Sequence, residues 1–145
     1  MAIKRMDHAG YVVTDLAAAI AFFVELGMEV EGETTVEGPE VGRLIGLGDV
    51  RATIATLRSP DGFGIELDKY HTPAAVRFGP VDAPLNTLGM RRVMFAVDDI
   101  DAALAGLQAH GAELVGELVQ YGESYRLCYV RGPEGIIVSL AQQLG

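Results

Sequence analysis

HAGYVVTDLAAAIAFFVELG, residues 8–27, returns 84 positions later as RVMFAVDDIDAALAGLQAHG, residues 92–111. Val13 matches Val97 and Asp15 matches Asp99; Ala18, Ala19 and Ala21 match Ala102, Ala103 and Ala105. The likeness runs on through Gly27, Glu29, Gly32 and Glu33, which match Gly111, Glu113, Gly116 and Glu117. Beyond Glu33 the first copy has a longer connection and the offset falls to 73, so that Arg58, Pro60, Gly62 and Leu67 match Arg131, Pro133, Gly135 and Leu140. Self-similarity at a fixed spacing marks a duplicated module.

Each copy predicts the same elements. His8 to Val13 and Arg92 to Val97 are short, apolar, β-rich runs. Thr14-Asp15 and Asp98-Asp99 follow as helix N-caps, with acids at the positive end of the helix dipole. Leu16, Ile20 and Phe23, like Ile100, Leu104 and Leu107, fall at i, i+4 and i+7, one apolar stripe to set against a sheet. Gly27 and Gly111 end the helices. Three strands are expected after each helix, near 28–36, 50–58 and 63–70 and near 112–120, 124–131 and 135–141. Ser59-Pro60-Asp61-Gly62 and Gly132-Pro133-Glu134-Gly135 are the turns between the last two.

Each module therefore reads βαβββ: residues 1–70, a Pro- and Gly-bearing linker at 71–89, and residues 90–145. The fold class is α+β. Two such modules form curved sheets around a cleft, within one chain or by exchange in a dimer. Val41–Val50, with Gly42, Gly46 and Gly48 too irregularly spaced for a phosphate loop, reads as a flexible connection, with a lid as one use for it.

Bulk properties narrow the function. Eleven Lys and Arg face 20 Asp and Glu, a formal net charge of −9 at pH 7, which disfavours nucleic acid and anionic membranes. No apolar run approaches bilayer length. Met1-Ala2-Ile3-Lys4-Arg5 is charged without a following apolar stretch, so no signal peptide is expected. The single cysteine, Cys128, cannot close an internal disulfide, which fits a reducing cytoplasm. Small modules with exposed sheet edges commonly pair, so a homodimer is expected.

Asp7-His8, Thr14-Asp15-Leu16 and Ser59-Pro60-Asp61-Gly62-Phe63-Gly64-Ile65-Glu66-Leu67 in the first copy, with Phe95-Ala96-Val97-Asp98-Asp99-Ile100 and Arg131-Gly132-Pro133-Glu134-Gly135-Ile136-Ile137-Val138 in the second, make the chain resemble the vicinal oxygen chelate superfamily. That group comprises the glyoxalases, bleomycin-resistance proteins and extradiol dioxygenases, and the likeness covers nearly the whole chain. The resemblance implies one potential metal-ligand slot on the first strand and one on the last strand of each module. In this chain the slots hold His8 and Glu66, then Arg92 and Ser139, and the internal offsets lead to the same positions. Arginine has no free lone pair and serine is a poor neutral ligand, so half the ligand set is missing. Catalytic zinc takes three protein ligands and non-haem iron a triad. No metal cofactor is therefore expected; zinc, manganese or iron on His8 and Glu66 is the alternative.

Each candidate also has a plainer reading. His8 alone would be a partly buried histidine bonded to backbone. Glu66, flanked by Ile65 and Leu67, needs a partner or must protonate, and Arg92 is the obvious one, replacing a metal's charge. In an active role Arg92 would clamp a substrate anion. His71 in the linker and His110 at a helix end read as surface residues, and Cys128 as a small buried hydrophobe. Tyr121, Tyr125, Arg126 and Tyr129 cluster near the second cleft wall, and strand alternation can send only some of them inward.

Three functions are open: a metal-free protein binding a small organic molecule through His8, Glu66, Arg92 and Ser139; a metal-dependent or metal-free lyase, isomerase or dioxygenase using His8 and Glu66 with Arg92; and a dimeric interaction module whose cleft is filled by its own side chains.

Overall fold

The repeat in the sequence is a repeat of strand order. In the computed structural model, which describes residues 4–145, the chain divides into two units, one up to Arg77 and one from Phe78. Met1-Ala2-Ile3, the start of the segment read for a signal peptide, lies outside the described residues. The first unit runs β1 (His8–Val12), α1 (Leu16–Glu25), β2 (Glu29–Glu37), α2 (Pro39–Ile45), β3 (Arg51–Arg58) and β4 (Gly64–Thr72). Its sheet has the order β1-β4-β3-β2, with β1 parallel to β4 and the other pairs antiparallel. The second unit runs β5 (Arg92–Ala96), α3 (Ile100–Ala109), β6 (Glu113–Tyr121), β7 (Tyr125–Arg131) and β8 (Ile137–Gln143). Its order is β5-β8-β7-β6, with only β5 and β8 parallel. Both are the expected βαβββ arrangement of an α+β fold.

Local chemistry explains the elements. Asp15 and Asp99 accept hydrogen bonds from the Ala18 and Ala102 amides, each at 3.0 Å. Such caps contribute about 1 kcal/mol apiece. Gly27 and Gly111 adopt φ of +109° and +87°, where a side chain is strained, and so turn the chain out of each helix.

The buried stripe of α3 is the expected Ile100, Leu104 and Leu107. That of α1 is rotated: Ala19, Phe22 and Phe23 are buried while Leu16 and Ile20 are only partly so. Phe22 and Phe23 meet edge to face at 5.1 Å, and Tyr11 lies 5.6 Å from Phe23. Two adjacent rings carry more apolar area than Leu16 and Ile20 and take the inner face. The counterpart of Phe22 in α3 is Gly106, so nothing rotates that stripe.

The Val41–Val50 segment is not the flexible connection expected. It holds most of α2, with Pro39 at the helix start and Gly46 left-handed at its end, φ +75°. A Cβ on Gly42 would lie 2.5 Å from the Leu47 carbonyl oxygen, so glycine lets the loop close on the helix. Gly42 and Gly46 thus serve separate local needs, one a close approach and the other a left-handed turn.

After β4 the linker exposes Val76, Phe78 and Leu88 almost completely. It is fixed to the second unit where Arg131 donates to the carbonyls of Val81 and Ala83, each at 2.8 Å. Among the described residues no helix is long and apolar enough to cross a membrane.

Gly135 combines a φ of +84° with a hypothetical Cβ only 2.6 Å from the Val81 carbonyl oxygen. Gly122, φ +55°, has nothing within 4 Å of such an atom. Gly135→Ala is therefore expected to lower stability by about 2–3 kcal/mol and Gly122→Ala by about 1, compared by urea midpoints. Equal losses would remove the steric part of this account.

Candidate functional site

Register decides which side chains share a face. In the parallel β1–β4 pair His8 lies opposite Gly64, Gly10 opposite Glu66 and Val12 opposite Asp68. Paired residues project to the same side and alternate along the strand. His8, Glu66 and Asp68 thus occupy one face, while Ile65 and Leu67, fully buried, turn to the face that α1 covers. The small residues leave room: a Cβ on Gly64 would lie 3.0 Å from that of His8.

His8 is held from both ends. Its Nδ1 is 2.8 Å from Asp7 Oδ2 and its Nε2 is 3.2 Å from Glu66 Oε2. Two carboxylates facing two ring nitrogens favour the imidazolium, which can donate to both. The hydrogen bond to Asp7 accordingly raises the His8 pKa, helped by the charge of Glu66 and opposed by burial. Asp7 is lowered in turn, first by His8 and then by Arg5, which donates to its other oxygen at 3.0 Å.

Behind this pair stands Asp68. Burial, then the charge of Glu66 and a hydrogen bond with it, push the Asp68 carboxyl up to about 7, with His8 opposing. Its Oδ1 is buried and has no hydrogen-bond partner among the described residues. The first sheet thus carries an imidazole and two adjacent carboxyl groups, one of which exchanges its proton near neutrality.

The second sheet repeats the register with different chemistry. Arg92 lies opposite Ile137, and Met94 opposite Ser139, which also pairs with Tyr129. Gly10 and Gly64 are replaced by Met94 and Ile137, and the slot closes: Ser139 has no exposed surface and its hydroxyl no partner among the described residues. Arg92 is exposed, and its guanidinium carbon sits 5.2 Å from the centre of the Tyr129 ring.

Within each sheet these side chains have neighbours of their own. Glu66 is matched on its own sheet by His8 and Asp68, and Arg92 stacks on an aromatic ring. Tyr121, Tyr125 and Tyr129 share the helix-free face of the second sheet, the first two with ring centres 5.6 Å apart. Arg126 points the other way and grips Asp101 of α3 at 2.7 and 3.1 Å. His71 belongs to β4 and lies 2.7 Å from Thr53 Oγ1, and His110 ends α3 against the Gly106 carbonyl at 3.1 Å. Cys128 is buried, and burial pushes its thiol up, away from reactivity.

Asp7 and Asp68 were not singled out from the sequence. Strand alternation from Glu66 points to Asp68 and would have found it. The role of Asp7 needs the His8 ring orientation, which no pattern encodes.

A metal in the four slots would have to use what they present. Both His8 nitrogens are engaged by carboxylates, Arg92 has no lone pair to offer, and Ser139 is enclosed. Among the described residues no group of three or more His, Cys, Asp or Glu side chains is arranged to hold one.

Comparison with known proteins gives a consistent picture. The family model for the Glyoxalase/Bleomycin resistance protein/Dioxygenase superfamily matches residues 5–140. A glyoxalase family protein from Bacillus cereus, known as a crystal structure, is 49% identical, with a TM-score of 0.94 over 100% of this chain and 97% of that one. The Escherichia coli (strain K12) protein YaeR is 26% identical over 99% of each chain. The trypanothione-dependent glyoxalase I of Leishmania major shares the fold, with a TM-score of 0.68 at 21% identity over 97% of this chain and 87% of that one.

The first-sheet cluster has a signature in stability. Asp68 is raised from 3.8 to about 7, so the folded state binds more protons than the unfolded state between those values. Its contribution is full below about pH 4 and is lost as pH rises to 7. His8, raised above 6.5, acts with the same sign at higher pH. Urea midpoints are expected to fall from pH 5 to pH 8, and Asp68→Asn to flatten that slope, with its largest gain at pH 8. An unchanged slope in Asp68→Asn would contradict the assignment.

Proposed function

We infer the function from one premise: the chain belongs to the Glyoxalase/Bleomycin resistance protein/Dioxygenase superfamily. On that basis we propose that it binds a small organic molecule on the helix-free faces of its sheets, without a resident metal. The observation that carries this reading is His8, clamped between Asp7 and Glu66 on an open face. A metal-ligating histidine presents one nitrogen with a free lone pair and uses the other to donate a hydrogen bond. This one meets a carboxylate at each nitrogen. The polar groups in the slots are thus suited to orient a ligand by hydrogen bonds and charge. His8, Glu66 and Arg92 have exposed surface for that contact, whereas Ser139 shapes the sheet from beneath.

A second reading is a metal-free enzyme, and Asp68 favours it. A carboxyl poised near 7 beside another carboxylate and an imidazole can take and return a proton at neutral pH. In that case Glu66 or Asp68 is the base and His8 the acid. Assembly as a homodimer belongs to the same proposal; light scattering at micromolar concentration is expected to give twice the chain mass, and a stable monomer would remove it.

The metal-free reading is tested on the purified protein. Elemental analysis is expected to find zinc, manganese and iron far below one equivalent per chain. Chelator treatment is expected to leave the melting temperature within about 1 °C, because no bound ion is lost from the folded state. One tightly held metal per chain, absent in His8→Ala, would overturn the proposal and put a metal enzyme first.

A further inference from the structure

The helix-free face of the second sheet carries a cation with no anion beside it. Along β5, β8 and β7, register places only two charged residues on that face, Arg92 and Arg131. Arg131 is committed, with both terminal nitrogens donating to linker carbonyls. Arg92 has no carboxylate partner among the described residues. It is also placed beside a ring: the guanidinium carbon lies 5.2 Å from the centre of Tyr129, within cation–π reach, and a guanidinium so placed keeps N–H donors for another group.

On β6 the face adds Glu113, in register with Arg131 and not with Arg92; beside Ser139 and Gln143 of β8 it carries an apolar and aromatic strip, much of it open to solvent. Met94 is 54% exposed, Tyr121 54%, Tyr125 43% and Val119 44%. Tyr121 and Tyr125 lie in register and lean on each other. From Tyr129 to Tyr125 is about 13 Å along β7 at the usual rise of a strand. That length suits one or two fused or linked rings.

We propose that this face recognises an organic carboxylate with a flat apolar body, Arg92 taking the carboxylate and the strip from Tyr129 to Tyr125 taking the body. The inference rests on the small-molecule reading above and names the ligand class. A planar fork matches two carboxylate oxygens. Net charge then argues against a bare inorganic ion: the acidic chain repels it at long range, and it gains nothing from the rings. An amphipathic acid gains both the ion pair and apolar burial.

The test is a proton–nitrogen NMR titration of the full chain with trans-cinnamate, neutral cinnamamide and inorganic phosphate. Cinnamate is expected to give saturable shifts on β5, β7 and β8. Cinnamamide should bind at least about 10-fold more weakly, the loss of a charge-assisted pair. Phosphate at equal concentration should leave these strands unmoved. Arg92→Gln should weaken cinnamate by a similar factor, Arg92→Lys by less, and Arg91→Gln, an equal change of net charge next door, not at all. Retained dispersion in the variant spectra establishes that they are folded.

Equal binding of amide and acid, or full affinity in Arg92→Gln, would overturn the carboxylate assignment while leaving a small-molecule site standing. Phosphate binding as tightly as cinnamate would reduce Arg92 to a general anion contact and overturn the ligand class. No cinnamate binding at all would sink the proposal outright. The parent reading falls only if a wider set of neutral fragments also fails to bind.

Discussion

One imidazole between two carboxylates sets the chemistry of the first sheet. Asp7 and Glu66 face the two nitrogens of His8, so the ring is favoured as the cation. With that charge in place, Glu66 has a partner at its own level of the sheet, and Asp68, further from His8 and more enclosed, keeps a proton to about pH 7. Gly64, opposite His8, leaves room for that side chain, since a Cβ there would lie 3.0 Å from the Cβ of His8. Surface ion pairs are usually worth little. The importance of this one lies in what it makes of the ring nitrogens, which become donors and no longer ligands.

The second sheet shows how far a duplicated frame can diverge without changing its register. The slots of His8 and Glu66 become those of Arg92 and Ser139, and the glycines opposite them become Met94 and Ile137. Two of these differences change the polar group in a slot and two put a larger side chain where the first sheet has glycine. The outcome is a buried hydroxyl with no partner among the described residues and an arginine set over Tyr129. The alternation that aligns Tyr121, Tyr125 and Tyr129 sends Arg126 to α3 and Asp101, so two kinds of side chain sit on two faces of one strand.

Most of the fold was legible in the sequence because it rests on period and punctuation. The repeat gave the two modules, alternation gave the strands, and Asp15, Asp99, Gly27 and Gly111 gave the helix limits. The errors came where packing overrides period. Phe22 rotates the inner face of α1, and Gly42 lets Leu47 fold back on a helix that looked like loop. At the site, the slots were legible from the internal offsets, but the partners were not. That both nitrogens of His8 meet carboxylates depends on ring orientation and backbone spacing, which residue order does not encode.

The most direct test of this account is the His8 ring itself, followed by NMR of its two nitrogens across pH. The account predicts a pKa raised above the ordinary value, both nitrogens protonated at pH 6, and a fall toward that value in Asp7→Asn and Glu66→Gln. A neutral ring at pH 6, with one nitrogen unprotonated and free, would contradict it, because that ring would be available as a metal ligand.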